Sequence, residues 1–410
     1  MNHLDEKDML ARELRERAGD VAGSHIGFEA VRHSAGRIRR RRNIVTGAVA
    51  AVLAGVALPT GVAITSTLSA DDRPVDDSLI ATSPSAAPTP RPDGTFPLTL
   101  EGHPRGEAPQ QPYVDGLGPS VVTPSGTLPT EIAYQQVTRY ADGWLALGYA
   151  GEGAQMFILD DDMGVERAFP SGESFAVSSD GSQVAYVEIQ DDGSQYLVNA
   201  PTDGADVQAW PFPARPALQP VGFVDRGTVL YQTQDAQGAT TVGLVSAEGK
   251  TPVEGFVSVL DANTATGLIV GQTRSDLLNG SCYGVMDPAA STTEMVWETC
   301  DHSLRGLSPD GRYVAGSIPD YDGLGAPSLV ILDVSTGDVV VEFAAGRNDP
   351  TVLFQGTWED EDTVLGIVNE GATFSFQRFE LDGRVEQAGE PIEVDDAFGD
   401  FPVWLGAEGW

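Results

Sequence analysis

Short apolar segments recur along the C-terminal two thirds of the chain, and each follows a turn that contains Asp, Asn or Gly. The six clearest units, about 38 to 50 residues apart, are YADGWLALGY (140–149), VSSDGSQVAYV (177–187), FVDRGTVLYQT (223–233), LDANTATGLIVGQT (260–273), LSPDGRYVAGS (307–317) and WEDEDTVLGIV (358–368). That period is typical of the blades of a β-propeller, in which each repeat forms one sheet. The pattern therefore predicts an all-β fold.

A second pair of apolar segments follows each unit, and SLVILDVSTGDVVVEF (328–343) is an example. Within it Leu329 and Ile331 alternate with Val330 and Leu332, and the Ser-Thr-Gly-Asp sequence provides a turn. Alternation of this kind around a turn indicates a β-hairpin. Each blade should therefore contain four antiparallel strands.

The two ends of the repeat region predict how the ring closes. DFPVWL (400–405) has the pattern of an inner strand, while PYVDG (112–116) and VVTPSGTLP (121–129) have the pattern of outer strands. A blade built from both ends would remove the exposed edges of an open ring. We therefore expect residues 112–410 to form a seven-bladed propeller, and six blades is the alternative.

The N-terminal region has the pattern of a membrane anchor. Residues 44–68 carry no charge and would span roughly 37 Å as a helix, enough to cross a bilayer core. The basic side chains that precede this segment are Arg37, Arg39, Arg40, Arg41 and Arg42. They predict a cytoplasmic N-terminus, with everything after residue 68 outside the membrane. A cleaved signal peptide and a buried core helix of a soluble protein are the alternatives.

Two further segments flank this predicted transmembrane helix. Residues 1–43 form a basic tail in which Met9, Leu10 and Leu14 indicate a short amphipathic helix. The tail serves either as a docking segment or only as a topology signal. Residues 69–111 are rich in proline, which lacks a backbone donor and restricts its neighbours. This segment should be a disordered stalk that holds the propeller away from the membrane.

Charge is distributed unevenly between the tail and the remainder. The whole chain has 24 basic and 60 acidic side chains, a formal charge of −36. Residues 1–42 hold ten of the basic and seven of the acidic side chains, so the remainder carries 14 against 53. A surface this acidic repels nucleic acid and anionic lipid head groups, and neither is an expected partner of the propeller.

The turn sequences also carry a resemblance to known proteins. SPDG (308–311) followed by VAGS, and SSDG (178–181) followed by VAYV, resemble the blades of TolB-like and WD-repeat-like propellers. The whole plan of basic tail, anchor, Pro-rich stalk and propeller is similar to a class of actinobacterial membrane proteins. Some of these are encoded beside extracytoplasmic-function sigma factors. The resemblance implies that the tail docks a cytoplasmic sigma factor.

The two cysteines of the chain, Cys282 and Cys300, lie at equal distances from a turn near residue 291. Antiparallel pairing would place them opposite each other, and outside the cytoplasm they would form a disulfide. Free buried thiols and redox chemistry are the alternatives.

Metal, cofactor and catalytic sites have little support in the sequence. Acidic clusters suggest calcium, but they lack the spacing of a calcium loop and suit solvated turns, namely Asp160 to Asp162, Asp191 with Asp192, Asp320 with Asp322, and Asp395 with Asp396. No zinc-protease or nucleophile-elbow motif occurs. We assign no catalytic, cofactor-binding or metal-binding residue. The tryptophans suit either the core between blades or an aromatic binding face.

These observations favour a membrane-anchored, extracytoplasmic propeller that acts as a non-catalytic binding or sensing scaffold. Its expected ligand is a protein, a peptide or a glycan at the cell surface, and its tail would carry the signal. The alternative is a lyase or hydrolase with its site in the central funnel. Converging carboxylates, His or Arg in the funnel would favour the enzyme, whereas a bland funnel with an aromatic rim would favour binding.

Overall fold

A computed structural model describes residues 88–150, 153–213, 217–276, 280–319, 325–395 and 401–406. The predicted tail (1–43), the predicted membrane helix (44–68) and the first part of the predicted stalk lie outside these residues. Within the described ranges, no helix has the length and apolarity needed to cross a bilayer.

The strands of the first part of the domain are short and joined by tight turns. In chain order they are β1 (Phe96–Pro97), β2 (Tyr113–Asp115), β3 (Ser120–Thr123), β4 (Gly126–Pro129), β5 (Tyr134–Tyr140), β6 (Gly143–Ala150), β7 (Gly153–Leu159), β8 (Val165–Pro170), β9 (Ala176–Val177), β10 (Gln183–Ile189), β11 (Gln195–Pro201), β12 (Gln208–Phe212), β13 (Ala217–Asp225), β14 (Thr228–Gln234), β15 (Thr240–Ser246) and β16 (Gly249–Val253).

The second part continues the same pattern. Its strands are β17 (Ser258–Ala262), β18 (Ile269–Asp276), β19 (Gly280–Met286), β20 (Trp297–Thr299), β21 (Ser303–Leu307), β22 (Tyr313–Ser317), β23 (Ser328–Asp333), β24 (Val339–Ala344), β25 (Val352–Trp358), β26 (Thr363–Glu370), β27 (Thr373–Glu380), β28 (Val385–Gln387), β29 (Ile392–Glu393) and β30 (Val403–Leu405).

These strands form the seven sheets of a seven-bladed propeller, as the repeat pattern predicts. Blades 1 to 6 begin with β5, β9, β13, β17, β21 and β25, and each contains the next three strands in antiparallel order. The first strands contact one another around the ring from β9 through β30 to β5, so they form its inner wall. Six blades, the alternative, is wrong.

Blade 7 combines the two ends of the domain. Its strand order is β30, β2, β3 and β4, and Val114 of β2 pairs with Trp404 of β30. The predicted inner strand near residue 404 and the predicted outer strands after residue 112 are both confirmed. Antiparallel backbone pairing between distant segments closes the ring and leaves no open gap between blades 6 and 1.

Seven apolar clusters hold the ring together, one at each junction between blades. Strand β23 shows how one strand serves two of them. Leu329 and Ile331 pack toward blade 6, while Val330 and Leu332 pack toward blade 4. Because every blade is covered on both faces, the alternation of the strand separates two buried surfaces rather than a buried and an exposed one.

The described part of the predicted stalk does not extend away from the domain. We call residues 88–111 the N-terminal strap. In it, β1 pairs in parallel with β24 and extends blade 5 to five strands, and Leu98 is fully buried between blades 5 and 6. Farther on, Arg105 bridges to Gln387 at the outer edge of blade 6. The predicted domain boundary at residue 112 is therefore corrected to include the strap, which covers edge strands that would otherwise be exposed.

Candidate functional site

A central cavity of about 140 Å³ lies where the first strands of blades 2 to 6 converge. The residues that line it are Phe175, Ala176, Val177, Ser179, Val221, Leu260, Asp261, Ala262, Asn263, Arg305, Gly306, Leu307, Pro309, Thr357 and Trp358. Most of these side chains are apolar, and Asp261 and Arg305 are the two charged residues among them. Leu260, Asp261 and Arg305 are only partly buried, so solvent reaches the cavity.

The turns at one end of the cavity are held by their own Ser and Asp side chains. In blade 2, the Ser178 hydroxyl donates to Asp180 at 2.7 Å and accepts from the backbone N–H of Gln183 at 2.9 Å. Ser308 and Asp310 form the same donor and acceptor pair in blade 5. Both serines are fully buried, which identifies them as structural residues rather than nucleophiles. This explains why the Ser-x-Asp-Gly sequence recurs.

The carboxyl group of Asp180 is part of this turn structure. Burial opposes its ionisation, but hydrogen bonds from Ser182, Ser178 and Arg226 outweigh burial and lower the pKa of Asp180. Arg226 belongs to the corresponding turn of blade 3, and its Nη2 lies 3.1 Å from Asp180 Oδ2. The ion pair therefore joins the turns of neighbouring blades.

Contacts between turns also cross the ring. The backbone N–H of Ser179 lies 3.3 Å from the Thr264 hydroxyl, and the backbone N–H of Thr264 lies 3.2 Å from the Ser179 hydroxyl. Asn263 Nδ2 donates to the backbone carbonyls of Ser308 and Pro309. Blades 2, 4 and 5 are thereby linked at this end of the cavity.

Asp261 is the carboxylate of the cavity wall. Its Oδ2 accepts the backbone N–H of Leu307 on the first strand of blade 5 at 2.7 Å, and its Oδ1 accepts the N–H of Ala262 at 2.7 Å. Burial raises the pKa of Asp261 to about 7, although both amide hydrogen bonds act in the opposite direction.

Comparable junctions in the ring use neutral glutamines for the same purpose. Gln136 accepts the backbone N–H of Phe175, Gln232 accepts that of Val259, and Gln355 accepts that of Leu405. An amide oxygen thus provides the inter-blade acceptor without the desolvation cost of a charge. A carboxylate at position 261 has a larger desolvation free energy than a glutamine amide would have in the same role. This difference marks Asp261 as a candidate functional group.

The predicted disulfide is present in the structure. Cys282 and Cys300 are bonded, with their Cα atoms 4.1 Å apart. They continue the register in which Tyr283 pairs with Thr299 between β19 and β20. The bond joins the two outer strands of blade 4 and lies outside the set of residues that line the cavity.

Two of the acidic clusters hold turns through hydrogen bonds from the backbone. Asp160 accepts the backbone N–H groups of Asp162 and Gly164, and Asp192 accepts that of Ser194. Among the residues that the structure describes, no three His, Cys, Asp or Glu side chains are grouped as metal ligands. The remaining members of the clusters that lie outside these residues are Asp320, Asp322 and Asp396. The predicted topology arginines, Arg37 and Arg39 to Arg42, lie outside them too.

The tryptophans pack mainly between blades rather than on a rim. Trp144 and Trp358 are almost fully buried, and Trp210, Trp297 and Trp404 pack at the margins of inter-blade clusters. Trp358 also lines the cavity, while its indole N–H donates to the Gly306 carbonyl at 2.9 Å. The interpretation of these side chains as core agrees with the structure.

Sequence reasoning missed both charged residues of the cavity. Asp261 lies in LDANTATG, where it resembles the many turn aspartates of an acidic chain, although it precedes the turn and is the second-last residue of an inner strand. Arg305 lies in SLRGL, where it is the one charged position of an inner strand. A charge inside an otherwise apolar inner strand was the available signal.

Comparisons with known proteins give a fold likeness of low similarity. No protein-family model matches the sequence, and no curated protein matches it. TolB from Acinetobacter baumannii is 14% identical with a TM-score of 0.41, covering 68% of this chain and 67% of its own. An uncharacterized protein from Listeria monocytogenes is 8% identical with a TM-score of 0.45, and the match covers 63% of this chain and 84% of that protein. An oligogalacturonate lyase in complex with manganese is 12% identical with a TM-score of 0.43, and the match covers 65% of this chain and 86% of the lyase. Likenesses at this level carry no argument about function.

Proposed function

We propose that this chain is a non-catalytic binding or sensing scaffold whose ligand occupies the central cavity. In this proposal the propeller lies outside the cell membrane, one helix at residues 44–68 anchors it, and the cytoplasmic tail conveys the bound state. The protein would be of the TolB-like, actinobacterial type that the sequence resembles, with a sigma factor as the partner of its tail. The partner outside the cell is a protein, a peptide or a glycan.

The observation that carries the proposal is the engagement of the polar groups in the cavity wall. Asp261 accepts two backbone N–H groups, and Asn263 uses its side chain to hold its own turn and that of blade 5. Groups held so firmly are preorganised to recognise a ligand. Among the described lining residues, Asp261 is the single carboxylate and no histidine accompanies it, so a paired acid and base is missing from this set.

The anchor and tail rest on sequence alone. The uncharged segment at 44–68 and the arginines that precede it support a cytoplasmic tail and an external domain. Within the tail, Met9, Leu10 and Leu14 form the apolar strip of a short predicted helix. This strip supports docking of the tail to a cytoplasmic protein.

In-cell crosslinking followed by affinity capture tests the signalling part of the proposal. The full-length protein is compared with a variant that lacks residues 1–36, which keeps Arg37 and the following arginines and therefore the topology. We expect a cytoplasmic partner that is captured by the full chain and lost on truncation. Identical capture by both proteins would refute signalling through the tail.

The second candidate function is an enzyme, a lyase or hydrolase acting at the same cavity. The observation that favours it is the pKa of Asp261, because a carboxyl group that titrates near neutrality suits a general acid or base. The two candidates differ in what happens to a bound molecule. Mass spectrometry of the ligand after incubation distinguishes them, since a scaffold releases it unchanged and an enzyme releases it cleaved.

A further inference from the structure

The central cavity has a size and a set of charges that together restrict its ligand. At about 140 Å³ it is close to the size of apolar protein cavities that hold a benzene molecule. A group of about six to eight non-hydrogen atoms fits such a space, whereas typical drug-sized ligand pockets are at least about twice as large. The ligand, or the part of it that enters, must therefore be small.

Two opposite charges lie in the wall on the first strands of neighbouring blades. Asp261 is near the end of β17, and its Oδ2 is fixed by the backbone N–H of Leu307 at 2.7 Å. Arg305 lies two residues before Leu307 on β21 and lines the same cavity. The two side chains therefore project from strands that are held together by a hydrogen bond between them.

Both charged groups retain capacity for a ligand. A carboxylate offers about four lone-pair positions, and backbone amides occupy two of those of Asp261. Arg305 already has an interaction partner, but a guanidinium has five N–H donors and can bind a carboxylate in addition to another partner. A ligand with only one charge would meet an unfavourable residue, a cation at Arg305 or an anion at Asp261.

From this arrangement we infer that the cavity binds a small zwitterion, with an ammonium group on Asp261, a carboxylate on Arg305 and a short apolar body against the surrounding side chains. A free α-amino acid with a small aliphatic side chain has this chemistry. Val177, Val221 and Leu260 provide the apolar surface. This inference rests on the proposed function as a binding scaffold, and it puts a small zwitterion in the cavity in place of the protein, peptide or glycan named there.

The ionisation of Asp261 agrees with such a ligand. Burial raises its pKa to about 7, against the two backbone hydrogen bonds that lower it. A bound ammonium group would compensate the buried charge and stabilise the carboxylate. Arg305 is the other charged residue among those that line the cavity, and the ligand carboxylate would accept hydrogen bonds from its guanidinium.

Isothermal titration of the full-length protein at pH 8 tests the inference with three matched probes. L-Valine carries both charged groups, isobutylamine lacks the carboxylate, and 3-methylbutyrate lacks the ammonium group. We expect L-valine to bind roughly tenfold or more tightly than either analogue, because each charged hydrogen bond is lost separately. Equal affinity for the three probes, or no binding of L-valine at millimolar concentration, would overturn the inference.

Two variants assign the charges to their residues. Asp261→Asn should remove the preference for L-valine over 3-methylbutyrate and keep the preference for L-valine over isobutylamine. Arg305→Gln should remove the preference over isobutylamine and keep the preference over 3-methylbutyrate. Asp192→Asn, on an exposed turn, is the matched control for charge and should leave all three affinities unchanged. If both cavity variants keep both preferences, the ligand does not lie on these residues.

Folding of the variants and independence from the proposed function are checked separately. Should Asp261→Asn melt earlier than the parent chain, Val221→Phe serves in its place, since it fills the cavity and keeps both charges. It should abolish L-valine binding, and retained binding would refute the site. Loss of a crosslinked partner on tail truncation together with absent L-valine binding would refute the ligand class alone and leave the scaffold proposal intact.

Discussion

One buried arginine makes several of the contacts that attach the N-terminal strap to blade 6. The side chain of Arg378 on β27 is only 12% exposed, and that of Glu359 is 7% exposed. The two side chains form a bidentate ion pair. Its remaining donors reach Glu386 and the backbone carbonyls of Glu107 and Ala108, at 2.8 to 3.0 Å. Hydrogen bonds to Glu359, partly opposed by burial, raise the pKa of Arg378.

Replacing this arginine by methionine keeps most of the side-chain volume and removes every donor. Glu359 would then be a buried carboxylate without its cation. It accepts the backbone N–H of Gln110 in the strap, and Arg378 would no longer orient it for that hydrogen bond. Breaking one side of a buried ion pair costs about 3–5 kcal/mol, so Arg378→Met should lower the free energy of unfolding by that amount. Most of the loss should appear as local release of the strap.

Hydrogen exchange measured by mass spectrometry, together with urea unfolding, provides the assay. Amides of residues 105–111 should exchange faster in Arg378→Met, while those of blades 1 to 3 remain protected. Arg105→Met is the matched control, because Arg105 also joins the strap to blade 6 but pairs with Glu390 at an exposed position. It should cost less than about 1 kcal/mol.

The double variant Arg378→Met with Glu359→Gln separates charge from packing. It removes both charges of the pair, so its cost should be smaller than the sum of the single variants by at least about 1 kcal/mol. An additive double variant, or an Arg378→Met chain no less stable than Arg105→Met, would refute the assignment of this ion pair as the anchor of the strap.

The remaining predictions concern a turn, the disulfide and the cavity. Gly383 has φ of +86° and an added Cβ would lie 2.2 Å from the ring of Phe96, so Gly383→Ala should cost roughly 2–4 kcal/mol. Gly371→Ala, at φ of +62° with open space around it, should cost about 1 kcal/mol, and equal melting temperatures would contradict the contact. Replacing Cys282 and Cys300 together by Ser should lower the free energy of unfolding by about 3 kcal/mol in urea, because the 18-residue loop is no longer closed, and an unchanged midpoint would contradict this. Because the pKa of Asp261 is raised to about 7, its folded form holds a proton that the unfolded chain releases near pH 4, and stability should fall by roughly 2–4 kcal/mol from pH 4 to pH 7.5. Thermal melts of Asp261→Asn should lack this part of the decline, and parallel curves for the two proteins would contradict it.

Local sequence pattern determined the blades of this protein. A turn followed by a short apolar strand recurs with the period of one blade, and each strand bonds to a neighbour nearby in the chain. The composite blade was predictable for a related reason, since PYVDG and VVTPSGTLP carry the pattern of outer strands without a preceding inner strand, and DFPVWL carries the pattern of an inner strand without local outer strands. The disulfide followed from the symmetric position of Cys282 and Cys300 around one turn.

Only the tertiary structure decided where the strap lies. Its prolines and scattered polar residues predict an extended spacer, whereas residues Phe96–Pro97 of the strap form a strand of blade 5. Its partners are the outer edges of blades 5 and 6, more than 240 positions later in the chain, and the contacts of Leu98 with Phe343 and Phe379 exist only when those blades are formed. Composition reports local stiffness and carries no information about such a distant surface.

The cavity was also beyond the reach of the sequence. Ser179 and Thr264 are 85 positions apart and meet because the ring brings the turns of blades 2 and 4 together. Asp261 and Arg305 belong to different repeats, and in an acidic chain each resembles an ordinary turn or surface charge. Local pairing fixes the blades, whereas the site depends on the closure of the ring, which places side chains from separate repeats around a single axis.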